Sequence, residues 1–264
     1  MTIALGILAG HGAVLAADSQ ETDGVGFKDF ALKIKSTMAM TNDPPRSAVA
    51  VTGCGPGLHL DAISREIIDL ANSRTDWSRE TFEPELKTCI RNFFVEHVTP
   101  LLPHIDNRFN LIVAAQFDGK SWLWSNDTTV VERRYPFEAL GTGKNYAKTA
   151  IDSRILGPTI EQAVLLAIHG VSEAKNFDQY CGKSTKIVCL FNNSAHHLPW
   201  YLVDPVEKFF DRYSGVEHSV FHYVLGHFDE ESQKNHVRKL ASWHRKMRIE
   251  AVSLAADISK ELSR

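Results

Sequence analysis

The sequence predicts an α+β protein, with antiparallel sheets and with helices gathered in pairs between groups of strands. Three observations carry that reading. Two apolar runs, residues 3–8 and 13–18, are joined by "AGHG" at 9–12, which reads as a hairpin turn. "NLIVAAQFDGKSWLWSND" at 110–127 reads as strand, Asp-Gly turn and strand. The order along the chain is strands, two helices, strands, two helices, strands, which does not alternate as a parallel βαβ sheet would.

The elements follow in order. After the first hairpin, "DSQETDGVGFKDFALKIK" (18–35) is polar and glycine-bearing, and a strand pattern resumes near Lys33. "SAVAVTG" (47–53) is a strand ended by the glycine-rich "GCGPG" (53–57). From Leu58 to Asn72, Leu60, Ile63, Ile67, Ile68 and Ala71 recur at helical spacing. A second helix is predicted from Pro84 to Val98, with Leu86, Ile90, Phe93 and Phe94 inward, stopped by Pro100 and Pro103. "ALGTG" (139–143) leads into a helix ending near Leu156, and a further helix follows Pro158 over 159–177. "STKIVCLF" (184–191) makes a late strand. "NNSAHHLPW", from 192, reads as loop, and 229–262 reads as one long charged helix. Its apolar face is predicted to be Leu240, Trp243, Met247, Ile249, Val252 and Ala256. Two domains are expected, 1–191 and a mostly helical C-terminal extension over 192–264.

Composition excludes several function classes. The 264-residue chain carries 29 Lys and Arg against 32 Asp and Glu, a net charge of −3, so neither nucleic acid nor an anionic membrane is an expected partner. Apolar runs such as "AVLLAI" at 163–168 are too short to cross a bilayer. With no leader pattern ahead of the first strand, a cytoplasmic location is expected. The cysteines Cys54, Cys89, Cys181 and Cys189 are widely spaced without a CxxC pair, as reduced thiols rather than a disulfide frame or zinc site would be.

Several segments together resemble the N-terminal part of a proteasome β-type subunit, including bacterial proteasome-like relatives. These are "MTIALGI" and "GAVLAADSQET", then "KI" at 33–34, "GPGLHLDA" opening a helix, "ALGTG" opening another, and "DQYCG" before the last core strand. The resemblance spans about residues 2–191 and keeps the order of the segments. It implies the four-layer αββα sandwich of N-terminal-nucleophile (Ntn) hydrolases and a threonine peptidase that needs no cofactor and no metal. It also implies a peptide or unfolded protein as substrate and a homo-oligomer as the working form. Whether an ATPase feeds it is left open.

The implied chemistry rests on Thr2. A hydroxyl is a weak nucleophile until a neighbour takes its proton. A free α-amine, with a pKa of about 7.7–8.0, can do so, whereas a peptide nitrogen cannot, because its lone pair is delocalised. Removal of Met1 is therefore a condition for catalysis. By resemblance, Lys33 is the catalytic lysine, preferred over Lys35, and Asp18 is the carboxylate that keeps it charged. Gly57 offers its N–H to the developing oxyanion at a helix N-terminus. Thr142, Asp178 and Cys181 orient the Thr2 amine and hydroxyl. Cysteine stands at 181 where the family has serine, which exchanges a good hydrogen-bond partner for a weak one. Glu21, Ala31, Gly55 and His59 are the substrate-pocket neighbours by the same resemblance.

Two other patterns carry no chemistry. "GTGK" (141–144) lacks the flanking residues of a phosphate loop, with Glu138 and Asn145 at positions that need glycine and Ser/Thr. His218 and His222 stand four apart without a convincing third ligand. The alternatives to a peptidase are a silent scaffold of the same fold that keeps Met1, and a non-peptidase amide hydrolase using the same nucleophile.

Overall fold

The computed structural model describes residues 2–22, 28–30, 33–37, 47–101, 108–152, 155, 157–225 and 230–263. Two compact units emerge, Met1–Trp200 and Tyr201–Arg264.

In the first unit, β1 (Ile3–Ala9) and β2 (Gly12–Asp18) form the predicted hairpin. Next come the short strands β3 (Gln20–Thr22), β4 (Lys28–Phe30) and β5 (Lys35–Ser36), and then the longer β6 (Ser47–Cys54). Helices α1 (Gly57–Asn72) and α2 (Arg79–Phe93) follow, the second running on through a π turn (Phe94–Val98) and a short 3₁₀ turn (Thr99–Leu101). The chain returns as β7 (Asn110–Phe117), β8 (Lys120–Asp127), β9 (Val130–Arg133) and β10 (Phe137–Gly141). Helices α3 (Lys144–Asp152) and α4 (Ile160–Phe177) precede β11 (Thr185–Phe191) and β12 (Ser194–His197).

One five-stranded sheet has the order β10-β1-β2-β11-β12 and the other β5-β6-β7-β8-β9, with every pairing antiparallel; β3 and β4 make a separate ribbon. Strand alternation sorts the residues of β6. Ala48 and Ala50 share a cluster with Ala4, Ala13 and Leu15 of the first sheet, while Val49 and Val51 pack with Ile63, Phe82 and Leu86 of α1 and α2. Small residues between the sheets bring the two backbones close. A Cβ on Gly6 would stand 2.7 Å from Ile112 Cγ2 and 2.8 Å from Leu123 Cδ1, both on the other sheet. Helix α4 lies against β1, β2 and β11.

The four-layer αββα sandwich is corrected by this structure. The fold is α+β, with two antiparallel five-stranded sheets and six α-helices among the described residues. The β3–β4 ribbon stands outside both sheets. A scheme of two sheets and two helix layers leaves that ribbon out. The last two helices, α5 (Trp200–Leu225) and α6 (Glu230–Leu262), fall almost wholly in the second unit, where a helical extension was expected.

Element boundaries also move. Helix α2 starts at Arg79, not Pro84, because Ser78 and Thr81 close a capping box ahead of the proline. Helix α3 ends at Asp152 rather than near Leu156. The "loop" after Asn192 contains β12, and α5 was not predicted. On α6, Met247, Ile258 and Leu262 are buried, whereas Ile249 and Val252 are exposed. The inward stripe is thus rotated from the predicted one.

Candidate active site

Three segments converge on the start of β1. Thr2 precedes the strand, Asp18 ends β2 beside it, and Lys33 lies just before β5. Antiparallel pairing sets Ala4 opposite Ala17, so the strand end carrying Asp18 comes back to the residue before Ile3. Asp18 is completely buried and the Lys33 side chain is 10% exposed.

Hydrogen bonds tie the three side chains together. The Lys33 ammonium has three N–H donors, and it donates to Thr2 Oγ1, to the Gln20 carbonyl and, at 2.8 Å, to Asp18 Oδ1. All three are used, as a buried ammonium requires. The Asp18 carboxylate accepts on both oxygens. Oδ1 takes the Thr2 hydroxyl, the Ile3 N–H at 3.2 Å and Lys33, and Oδ2 takes the Gly182 N–H at 3.0 Å. The Thr2 hydroxyl therefore donates to a carboxylate and accepts from an ammonium, so negative charge developing on Oγ1 already has a cation at hand. Lys35, the other lysine of "KIK", instead pairs with Asp61 of α1 at 2.6 Å.

A second ring of groups stands behind this cluster. Asp178, the residue after α4, accepts from the Tyr180 N–H at 2.9 Å and from the Cys181 thiol at 3.5 Å. Burial pushes the Cys181 thiol up to about 12, with the Asp18 and Asp178 carboxylates adding to the shift and a hydrogen bond with Thr142 opposing it. A thiol shifted in this direction favours its protonated form and serves as a weak hydrogen-bonding group. Thr142 follows Gly141, which sits at φ +96°, and a Cβ there would come within 1.9 Å of the Thr2 carbonyl oxygen. Only glycine allows that approach.

The remaining predicted residues are distributed as follows. Gly57 is the first residue of α1, whose N-terminus has no side-chain cap and no acidic residue in its first turn. Gly55, at φ +136°, is held against Arg108 and Phe109, and the His59 ring meets Phe93 edge-on at 6.1 Å. The α1 approach connects to the Thr2 corner through Cys54. Burial pushes that thiol up, against hydrogen bonds to the backbone of Asn110 and Gly141. Glu21 lies in β3, opposite Asp29. Met1 and Ala31 lie outside the described residues.

Sequence reading missed the backbone partners: the Ile3 and Gly182 N–H groups, the Gln20 carbonyl, and Gly141. "GTG" did contain a signal for Gly141, since a glycine closing a strand suggests close backbone approach. Nothing in the residue types marks a carbonyl such as that of Gln20.

No protein-family model matches this chain, and no curated protein matches it. Solved structures share its fold. The Anbu complex of Pseudomonas aeruginosa, a helical assembly, is 15% identical with a TM-score of 0.69, over 87% of this chain and 99% of that one. Anbu (ancestral beta-subunit) from Yersinia bercovieri is 15% identical with a TM-score of 0.67, over 86% of this chain and 100% of that one. An Anbu (Gly-1) mutant from Hyphomicrobium sp. strain MC1 is 14% identical with a TM-score of 0.69, over 87% and 100%. These likenesses establish a proteasome-like fold. They also correct the resemblance drawn from sequence: these similar structures are Anbu proteins rather than proteasome β-type subunits.

Proposed function

We propose that this chain is an N-terminal-nucleophile hydrolase that cleaves amide bonds of peptide substrates through Thr2. One observation carries the reading: the Thr2 hydroxyl lies between the Lys33 ammonium and the Asp18 carboxylate in a buried corner. Met1 is first removed, which turns the Thr2 nitrogen from an amide into an amine. Oγ1 then bonds to the substrate carbonyl carbon while the α-amine takes the hydroxyl proton. Lys33 steadies the negative charge on Oγ1, and the first N–H of α1 at Gly57 receives the oxyanion. The carbon–nitrogen bond breaks, the leaving amine departs with the proton, and water hydrolyses the ester that remains. Asp178, Cys181 and Thr142 orient Thr2. The working form is a homo-oligomer, by analogy with the helical Anbu assembly. All four cysteines are free, as those of a cytoplasmic protein would be.

The test compares wild type with Thr2→Ala and Thr2→Ser on a panel of peptide and small-amide substrates. Loss of turnover in the alanine variant, with partial retention in the serine variant, is the expected result. Unchanged turnover in Thr2→Ala would sink the mechanism.

A second reading, a silent scaffold, is favoured by one feature: Cys181 meets Asp178 only through a long thiol contact. Intact mass separates the two readings, because the scaffold keeps Met1 and the hydrolase loses it.

A further inference from the structure

The opposite end of the β1–β2 hairpin holds a cleft of about 690 Å³, a volume in the usual range for small-molecule sites. Six residue steps along β1, from Thr2 to Leu8, separate it from Thr2, roughly 20 Å at the usual rise. Its walls come from the β1–β2 turn, the start of β8 and the segment after β9. No carboxylate lines it, although the chain as a whole is acidic, and His11, Lys120, Arg133 and Arg134 do.

The cations are not equivalent. Arg134 is consumed by Glu132 at 3.1 Å, Glu138 at 3.0 Å and Ser125 at 2.7 Å, so it serves as framework. Lys120 forms no ion pair with any described residue. Arg133 has no carboxylate of the described residues within ion-pair distance, although its charge is felt by the Glu83 carboxyl of α2. Arg133 stands over the Trp122 ring, 5.8 Å from its centroid, which holds the guanidinium near the cleft. Tyr135, which also lines the cleft, is 82% exposed.

The frame is built in advance. Gln116 is buried, its amide nitrogen donates to the His11 carbonyl at 2.8 Å, and its oxygen accepts the Asn193 N–H at 2.6 Å. Asn193 in turn accepts from the Gly119 N–H at 3.2 Å. Three hairpin turns are thereby tied together around one buried amide, so binding here requires little ordering.

We propose that this cleft binds a small anion bearing an aromatic ring, of the nucleoside diphosphate class. Its phosphates meet Lys120 and Arg133, and its base stacks on Tyr135. The proposal is independent of the chemistry at Thr2.

Isothermal titration of the full chain tests it, with ADP, adenosine and inorganic phosphate as separate probes. ADP saturates one site per chain and binds at least tenfold more tightly than adenosine or phosphate alone. Lys120→Ala and Arg133→Ala each weaken ADP about tenfold, whereas Lys35→Ala, a part-buried lysine outside the cleft, does not. Tyr135→Ala weakens ADP without changing phosphate binding. Equal melting temperatures of the variants show that folding is intact, as exposed side chains predict. Absence of saturable ADP binding up to millimolar concentration would overturn the proposal. So would ADP binding unaltered in Lys120→Ala and Arg133→Ala, or phosphate binding as tight as that of ADP.

Discussion

The two ends of the β1–β2 hairpin handle charge in opposite ways. At the Thr2 end, Asp18 and Lys33 are buried, and the hydrogen-bonding capacity of the ammonium is filled by protein. At the His11 end, a neutral amide is buried instead, and Lys120 and Arg133 line an open cleft, Lys120 without an ion pair among the described residues. A filled, buried ion pair fixes the Thr2 hydroxyl in one place. An open cation retains capacity for a ligand. Stability and chemistry are therefore joined at the first end and separable at the second.

The sharpest way to break that comparison is to remove charge at the buried end. Lys33→Ala is expected to lower kcat by about 10²–10⁴-fold, measured by steady-state hydrolysis, since proton handling and charge stabilisation go together. Asp18→Asn leaves Lys33 buried without a counter-charge. It is expected to cost about 3–5 kcal/mol in a denaturant titration, and activity with it. An Asp18→Asn protein of wild-type stability would mean that the pair is not buried as described.

At the other end, Gln116→Ala removes the buried amide and leaves the Asn193 N–H without its partner. The expected cost is about 1–3 kcal/mol in the same titration, with kcat unchanged. A fall in kcat would show that the two ends are not separable.

Cys181→Ser sharpens the comparison within the Thr2 corner. A hydroxyl is a better partner than a thiol for Asp178, so a change of only a few-fold in kcat, upward, is expected, with KM unchanged. A large loss would show that the thiol has a role beyond orientation. Smallest of all, Lys35→Ala removes a part-exposed ion pair with Asp61 and is expected to cost less than about 1 kcal/mol. The two lysines of "KIK" thus bracket the whole range of effects.

How much of this was legible in the sequence depends on whether a position announces itself through its side chain. The β1–β2 and β7–β8 hairpins were readable from alternating apolar runs and turn residues, and they bring Asp18 back to Thr2 by geometry alone. The choice of Lys33 over Lys35 was not readable from composition, because both flank Ile34 identically and only the fold sends one inward. The β11–β12 hairpin was missed although it had a signal. Asn192 and Asn193 both take positive φ, 51° and 56°, as the two-residue turn of a tight hairpin requires. Helix α5 was obscured by Pro205, which lies inside it. The cleft could not have been read at all, since its residues come from separated segments that meet only when the hairpin turns are tied through Gln116.

The central claim is that Thr2 is the nucleophile on a free N-terminus. Treating the full chain with a β-lactone tests it most directly, because ring opening by a nucleophilic hydroxyl adds the whole reagent to one residue and expels nothing. Intact mass followed by peptide mapping reads both the added mass and its site. One reagent per chain, on the Thr2 hydroxyl of chains that have lost Met1, is the predicted result. Labelling at any other residue, or at Thr2 in chains that still carry Met1, would contradict it.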